Sequence, residues 1–278
     1  MSSLKQIAKS LLPTRLLTII QSVRGRRHSL HWLQEQGVLE IDARIVDKLG
    51  PIVQSGPFAG LEYIPAALKS RHAAPNLLGI YESHLWPAIN SIDDSFELIV
   101  DIGAAEGYYA VGLARRCRLP VYAFEANPFE ARICKRMAVI NGVSDRVRIR
   151  SWCDHRALSG LVRGQRAFVL SDCEGYEYEL FEREIITALR YSDVLIELHG
   201  DDAANAALVN AFASTHTTKI LSQCPAPVPE TLQLVDESAV KAINEYRMLG
   251  QLWLHSVAKE HVAGHLGRSG MHRARIGE

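Results

Sequence analysis

The spacing of hydrophobic residues changes near residue 92 of the chain. Before this point, apolar residues recur at helical spacing and are interrupted by Gly50-Pro51, Gly56-Pro57 and two further prolines, which predicts helices and loops. After it, short apolar runs rich in β-branched residues alternate with helical patterns. This alternation predicts an α/β fold with a doubly wound, mostly parallel seven-stranded sheet and an N-terminal, mainly helical extension.

The predicted elements divide the chain into three parts. Strands are expected at residues 96–102, 121–125, 147–152, 167–171, 194–198, 219–222 and 251–256, and helices at residues 108–116, 129–140, 177–190 and 203–213. We therefore expect a helical and loop region at 1–92, a sheet domain at 93–258 and a flexible C-terminal tail at 259–278. Because parallel sheets bind ligands at the carboxyl ends of their strands, functional motifs are expected there.

Composition narrows the class of protein. Of the 278 residues, 47% are hydrophobic, and 31 basic residues balance 31 acidic ones. The chain can bury a sizeable core, and its overall charge does not favour a nucleic acid partner. The five cysteines form no C-x-x-C pair, which indicates reduced thiols in a cytoplasmic protein. No apolar run approaches the roughly 18 residues that a transmembrane helix needs.

The N-terminal segment is locally cationic. Residues 1–27 contain six cationic residues and no acid, with apolar residues at helical spacing that Pro13 interrupts. A helix there could pack on its own protein or on a second subunit, or it could rest on an acidic membrane surface. The interruption by Pro13 favours the packed helix, and peripheral membrane contact is the alternative.

The turn after the first predicted strand carries an acid and two glycines. Residues 100–109 read Val-Asp-Ile-Gly-Ala-Ala-Glu-Gly-Tyr-Tyr. Ala105 breaks the G-x-G-x-x-G fingerprint of a dinucleotide site, and no Gly-Lys-Ser/Thr of a P-loop follows. Asp101 would repel a pyrophosphate, whereas it would attract the sulfonium and amino groups of S-adenosylmethionine. The turn therefore predicts S-adenosylmethionine as the cofactor.

Acids after the next two strands extend this site. Glu125 ends the second strand and could accept hydrogen bonds from ribose hydroxyls, and Asp154 follows the third and could accept from the adenine amino group. Taken singly, Asp101 could instead bond loop amides, and Glu125 could be a surface carboxylate. The residues expected to bind the cofactor are Asp101, Gly103, Ala104, Glu106, Gly107, Tyr108, Glu125, Ala126 and Asp154.

Two further motifs carry a family resemblance. Residues 168–177 read Phe-Val-Leu-Ser-Asp-Cys-Glu-Gly-Tyr-Glu, and residues 194–199 read Val-Leu-Ile-Glu-Leu-His. With the turn at 100–109, they make the chain resemble class I S-adenosylmethionine-dependent methyltransferases and, more narrowly, the FkbM-type family. The resemblance covers roughly residues 75–256, including a short lead-in at 77–82, and departs at Ala105, where many members have glycine.

The resemblance implies a Rossmann-like fold and transfer of a methyl group to oxygen. The implied acceptor is a hydroxyl of a saccharide, a polyketide or another small molecule. Such a hydroxyl must lose its proton, which calls for a general base or a metal ion.

The candidate catalytic residues are Asp172, Glu174 and His199. Asp172 and Glu174 are two apart after the fourth strand, and Glu197 and His199 repeat this spacing on the fifth, which in this fold lies beside it. His199 suits a base at neutral pH because the unperturbed pKa of histidine is about 6.5. Asp172 could be the base or, with other carboxylates, hold Mg²⁺.

Other roles remain for parts of this cluster. A divalent metal is possible, but it is not favoured because the sequence contains no tight ligand motif. Glu177 could serve only to stabilise the N-terminus of the next helix. Two other classes of function stay open: a non-catalytic cofactor-binding interaction module and, less favoured, an NAD-dependent Rossmann oxidoreductase.

Overall fold

The described part of the chain before the first strand combines helices with loops. A computed structural model describes residues 38–69, 73–224 and 250–260, so the basic segment at 1–27 and most of the C-terminal tail lie outside the described residues. Two α-helices and a 3₁₀ turn precede a short α-helix, which has Pro87 in its first turn. These elements are α1 (Val38–Leu49), α2 (Ala73–Leu78), the 3₁₀ turn (Ser83–Leu85) and α3 (Trp86–Asn90).

The rest of the described chain alternates between strands and helices. The elements are β1 (Leu98–Ile102), α4 (Tyr108–Arg116), β2 (Val121–Phe124), α5 (Pro128–Ile140), β3 (Val147–Arg150), α6 (His155–Val162), β4 (Ala167–Ser171), α7 (Glu177–Leu180), α8 (Arg183–Ala188), β5 (Asp193–Leu198), α9 (Asp202–Phe212), β6 (His216–Ser222) and β7 (Leu252–Ala258). Each strand begins and ends within three residues of its predicted position.

The strands form one seven-stranded sheet in the order β3-β2-β1-β4-β5-β7-β6. Strands β1 to β5 pair in parallel, whereas β7 runs antiparallel to both β5 and β6. The prediction of a Rossmann-like, mostly parallel seven-stranded sheet is therefore confirmed. Since β7 is reversed, β6 runs in the same direction as β5, and the connection from β6 to β7 leaves and re-enters at the carboxyl edge of β5.

Helices cover both faces of the sheet. Along β1, Ile99 packs into one hydrophobic cluster, while Val100 and Ile102 pack into another, as expected from the alternation of side chains along a strand. The first cluster includes residues of α4 and α5, and the second includes residues of α6, α8 and α9. Burial on both faces explains why the parallel strands read as nearly continuous apolar runs.

The described part of the N-terminal region shares the first of these clusters. Ile45, Leu61 and Leu77 are fully buried together with Val111 and Leu113 of α4. This packing holds the segment before β1 against α4 and α5 on one face of the sheet.

The prediction of a single helix over residues 177–190 is wrong. The backbone leaves the helical region at Phe181, with φ −89° and ψ 57°, and separates α7 from α8. Phe181 is buried, and its ring centroid lies 5.9 Å from that of Phe212. Phe181 therefore packs against α9 at the break between the two helices. Helix α6 was not predicted at all, although Asp154 begins it as an N-cap.

The cysteines and the lengths of the helices were also predicted from the sequence. All five cysteines lie in the described part of the chain, and each is a free thiol. Over 38–69, 73–224 and 250–260, every helix is too short or too polar to cross a bilayer.

Candidate functional site

Four parallel strands bring the predicted site residues to one edge of the sheet. β2, β1, β4 and β5 are consecutive neighbours, so their carboxyl ends lie side by side. The strand order reverses between β1 and β4, since β2 follows on one side and β4 on the other. Ligands of open α/β sheets bind in the crevice at such a switch point.

The turn between β1 and α4 requires both of its glycines. Gly103 has φ +90°, and a Cβ atom there would overlap the carbonyl oxygen of Asp172. Gly107 has φ +99°, and its Cβ atom would lie 2.8 Å from the Sγ atom of Cys134. The glycines thus let the turn pass against the end of β4 and against α5, and Ala105 between them also takes a positive φ, of 45°.

The other predicted residues of this turn differ in their surroundings. Ala104 is buried, and Glu106 is half-buried, with one carboxylate oxygen 3.4 Å from Nδ2 of Asn76. Tyr108 is buried against Phe58, with a ring centroid distance of 5.0 Å. Tyr108 therefore packs in the core, and its hydroxyl is the only part of it suited to a polar ligand.

Asp101 is a buried acid without a hydrogen bond of normal geometry among the described residues. It is 1% exposed, and the backbone amide of Ala110 is the one hydrogen-bonding group there that lowers its pKa. Burial, together with repulsion by Asp172 and Glu125, raises the pKa of Asp101 to about 8. An unpaired buried carboxyl is costly, so its position beside the turn suits a ligand that brings positive charge.

Glu125 organises the turn as well as facing the crevice. Its Oε2 atom accepts a hydrogen bond from the amide of Ala105 at 2.8 Å, and its Oε1 atom accepts one from the amide of Asn127 at 2.5 Å. Burial raises the pKa of Glu125, and these two amides oppose that rise. Each carboxylate oxygen can accept a further hydrogen bond. Ala126, which follows it, is half-buried.

The structure gives Asp154 a local role. Its Oδ1 atom accepts a hydrogen bond from the amide of Ala157 at 2.8 Å and thereby caps α6. The residue is exposed after the end of β3. The cap accounts for an acid at this position, and contact with adenine stays a prediction.

Carboxylates surround the ring of His199. Its Nε2 atom lies 3.6 Å from Asp172 Oδ1, 3.6 Å from Glu197 Oε2 and 3.9 Å from Glu174 Oε2. Its Nδ1 atom lies 3.4 Å from Glu177 Oε1. The ends of β4 and β5 thus bring Asp172, Glu174 and His199 together, as their spacing predicted.

Glu177 holds both the turn after β4 and the histidine. It is fully buried, and its carboxylate accepts hydrogen bonds from the amides of Cys173 at 2.6 Å and Gly175 at 2.7 Å. Burial alone would raise the pKa of Glu177, but its contacts with His199 and the Cys173 amide outweigh burial and lower it. An ionised Glu177 fixes the orientation of the imidazole.

The same carboxylates set the charge of His199. Its side chain is 23% exposed. Burial alone would lower the pKa of His199, but the hydrogen bond with Glu177 and the charges of Glu177, Asp172 and Glu174 raise it. Sequence reasoning assigned Glu177 only to the helix N-terminus and missed this contact, for which the Glu-Gly-x-Glu spacing was the available signal.

Asp172 and Glu197 are neighbouring carboxyl groups, and the charge of Asp172 opposes the ionisation of Glu197. Burial raises the pKa of Glu197, and the neighbouring Asp172 raises it further through charge repulsion and a hydrogen bond. Two close carboxyl groups cannot both ionise readily in a buried site. The more buried Glu197, with a side chain 6% exposed against 32% for Asp172, holds the proton, which leaves Asp172 as the ionised member.

The same cluster could instead bind a metal ion. One ligand atom from each of Asp172, Glu177 and His199 lies within 4.8 Å of the others. Both oxygens of Glu177 already accept amide hydrogen bonds. Each of these oxygens can still accept a further bond, so the three groups fit a divalent cation as well as a hydrogen-bonded imidazole.

The segment before α3 adds buried polar groups that the sequence did not single out. Glu82 is 1% exposed and accepts a hydrogen bond from the Tyr109 hydroxyl. Burial raises the pKa of the neighbouring Tyr81, and the charges of Glu82, Asp172 and Glu197 raise it further. The lead-in at residues 77–82 therefore forms one wall of the site.

Comparisons by sequence find no relative of the chain. No model of a known protein family matches it, and no curated protein matches it.

Comparisons by structure find similar folds at low identity. A precorrin-6y C5,15-methyltransferase from Geobacter metallireducens GS-15 aligns with a TM-score of 0.43 and 14% identity over 62% of this chain and 85% of that one. A Klebsiella pneumoniae protein designated an O-methyltransferase aligns with a TM-score of 0.44 and 15% identity over 79% and 96% of the two chains. A precorrin 8w decarboxylase from Methanobacterium thermoautotrophicum aligns with a TM-score of 0.39 and 17% identity over 59% of this chain and 82% of that one. Similarity at this level does not indicate a shared reaction.

Proposed function

We propose that this protein is an S-adenosylmethionine-dependent O-methyltransferase that acts on a hydroxyl of a saccharide or a similar small metabolite. The carrying observation is that the glycine turn with Asp101 and Glu125 adjoins the histidine–carboxylate cluster at one edge of the sheet. A donor site and a proton acceptor then lie next to each other. The motifs at residues 168–177 and 194–199 further support membership of the FkbM-type family.

The charge of the crevice supports this cofactor. Asp101, Glu125 and Asp172 lie near one another, since Asp172 and Glu125 both raise the pKa of Asp101 and Asp172 also raises the pKa of Glu125. A dinucleotide pyrophosphate would meet this negative charge at close range, whereas the sulfonium and amino groups of S-adenosylmethionine would be stabilised by it. The remaining acceptor capacity of Glu125 suits the ribose hydroxyls.

The cluster supplies a base for a hydroxyl acceptor. Glu177 faces Nδ1 and favours the tautomer with its proton there, which leaves Nε2 of neutral His199 to take the proton of the acceptor hydroxyl. S-adenosylmethionine, held beside Asp101 and Glu125, would supply the methyl group to the acceptor oxygen, and the electrons of its carbon–sulfur bond would stay on sulfur. Asp172, beside Nε2, stabilises the imidazolium that forms.

Calorimetric titration tests the donor half of the proposal. The protein is titrated with S-adenosylhomocysteine and, in parallel, with NAD. Binding of the first alone supports the proposal, and binding of NAD alone favours the oxidoreductase. Glu125→Ala should weaken binding because the ribose loses its acceptor, and unchanged affinity would remove Glu125 from the site.

Turnover with a panel of hydroxylated acceptors tests the catalytic half. Asp172→Asn should leave S-adenosylhomocysteine binding intact and lower the rate of methyl transfer. A wild-type rate in this variant would exclude Asp172 from the reaction. Cofactor binding with no transfer to any acceptor would favour the non-catalytic interaction module.

A further inference from the structure

The outward face of α5 combines exposed apolar and cationic side chains. Phe129, Val139 and Ile140 are 54%, 59% and 41% exposed, and they are three of the five large hydrophobic side chains that are exposed among the described residues. The exposed cations of the same helix are Arg132, Lys135 and Arg136. At about 100° per residue, the six positions fall within an arc of about 140° of the helix.

This face has no partner in the described part of the protein. Arg132, Lys135 and Arg136 make no ion pair or hydrogen bond with any residue in 38–69, 73–224 or 250–260. The opposite side of α5 is the one that packs, since Ile133, Cys134 and Met137 are buried in the first hydrophobic cluster. The face contains no acidic side chain, so its three charges are not compensated within it.

The mixture of side chains decides the kind of partner. A cationic face alone would suit any polyanion, but a nucleic acid backbone offers no place for three exposed aliphatic and aromatic side chains. A lipid bilayer with anionic headgroups accepts both, because apolar groups enter the interface while lysine and arginine pair with the headgroups. The chain's own N-terminal segment is a poor partner because residues 1–27 are cationic as well.

We propose that the outer face of α5, formed by Phe129, Arg132, Lys135, Arg136, Val139 and Ile140, docks the protein on an anionic phospholipid bilayer. The binding energy comes from two sources on one surface: charge attraction and insertion of apolar groups. The proposal does not depend on the methyltransferase assignment, because no residue of this face belongs to the candidate site.

The test is co-sedimentation of the full chain with vesicles. Vesicles of phosphatidylcholine alone are compared with vesicles of phosphatidylcholine mixed with phosphatidylglycerol. The wild type should bind the mixed vesicles and not the neutral ones. At about 1 kcal/mol for each cation near an anionic surface, the triple variant Arg132→Gln, Lys135→Gln, Arg136→Gln should bind about 100-fold more weakly.

A matched control separates the surface from net charge. The control is a triple variant that removes the same amount of charge from the opposite face of the sheet. Its substitutions are Arg156→Gln in α6, Arg183→Gln in α8 and Arg190→Gln just after α8. It should retain most of the binding. A further variant, Phe129→Ser with Val139→Ser, should weaken binding while leaving its dependence on salt unchanged. Unchanged thermal midpoints would show that the exposed substitutions leave the fold intact.

Two outcomes would overturn the proposal. The first is absence of binding to the mixed vesicles by the wild type. In that case, binding of a single-stranded RNA, or self-association in light scattering, that the α5 variant alone abolishes would identify a different partner for this face. The second is equal binding by the two triple variants, because attachment would then lie elsewhere, for example in residues 1–27.

Discussion

Replacing Glu177 by glutamine should lower the pKa of His199. Glu177 is the ionised, fully buried acid next to Nδ1, so it stabilises the imidazolium. At the observed separation of 3.4 Å, Coulomb's law gives about 1.2 kcal/mol in bulk water and about 5 kcal/mol at an effective dielectric constant of about 20. The lower figure alone corresponds to about one pKa unit.

The sign of the effect follows from the charge that is removed. Without the carboxylate, the protonated ring is less stable, so the neutral form of His199 appears at lower pH. The ascending limb of the pH–rate profile should shift to lower pH, and the limiting rate should fall because the base is weaker. The amides of Cys173 and Gly175 would also meet a carboxamide, which can accept only one of their hydrogen bonds. This loss should destabilise the turn by about 1–3 kcal/mol.

The assay is an NMR titration of the histidine Cε1–H signals, which needs no acceptor. The chain has 11 histidines, and the His199 signal is the one lost in His199→Gln. Glu174→Gln is the control, since that side chain lies 3.9 Å from Nε2 but is 80% exposed, and solvent should screen most of its effect. A folded Glu177→Gln protein whose His199 pKa is unchanged or raised would refute the assigned role of Glu177.

Three further predictions concern stability. Burial raises the Asp101 pKa to about 8, so the wild type should lose stability relative to Asp101→Asn as pH rises from about 4 to 8. The difference in the free energy of unfolding should grow by at most about 1.4 kcal/mol per pH unit. Urea melts at both ends of the pH range measure this difference, and a constant difference would contradict the prediction. Gly103→Ala should prevent stable folding, because its Cβ atom would overlap the Asp172 carbonyl oxygen. The control is Gly142→Ala, which has φ +67° and open space around it and should lower the free energy of unfolding by about 1 kcal/mol in the same melts. His199→Gln should lose stability relative to the wild type below pH of about 6.5, and this deficit should shrink as pH rises through the raised His199 pKa; a deficit that grows with pH would reverse the sign of the shift.

The sheet could be predicted because its signal is local. β1 is buried along its whole length, so its apolar run stands out from the amphipathic helix patterns around it. The break between α7 and α8 was not visible in this way, because Phe181 fits the helical period and its contact with Phe212 comes from a later part of the chain. Helix α6 did carry a signal, the N-cap Asp154 followed by apolar residues, but the acid was assigned to a ligand.

The candidate site shows the same division. The spacing of Glu197 and His199 beside Asp172 follows from parallel strands, and the structure places a carboxylate oxygen of Asp172 and one of Glu197 each 3.6 Å from Nε2 of His199. The contribution of Glu82 could not be read from the sequence, because it depends on how the segment before α3 folds over strands that come much later in the chain. Long-range contacts of this kind leave no periodic pattern.

The reversal of β7 has an evolutionary consequence. The chain leaves the sheet after Ser222 and returns at Leu252, both at the edge where His199 lies, and Ser222 pairs directly with Leu252. Changes in the length of that connection would therefore act on the end of the crevice next to His199, while the strands that carry Asp101 and Glu125 lie apart from it. Such a division allows lineages to diversify at one end of the crevice and stay conservative at the other.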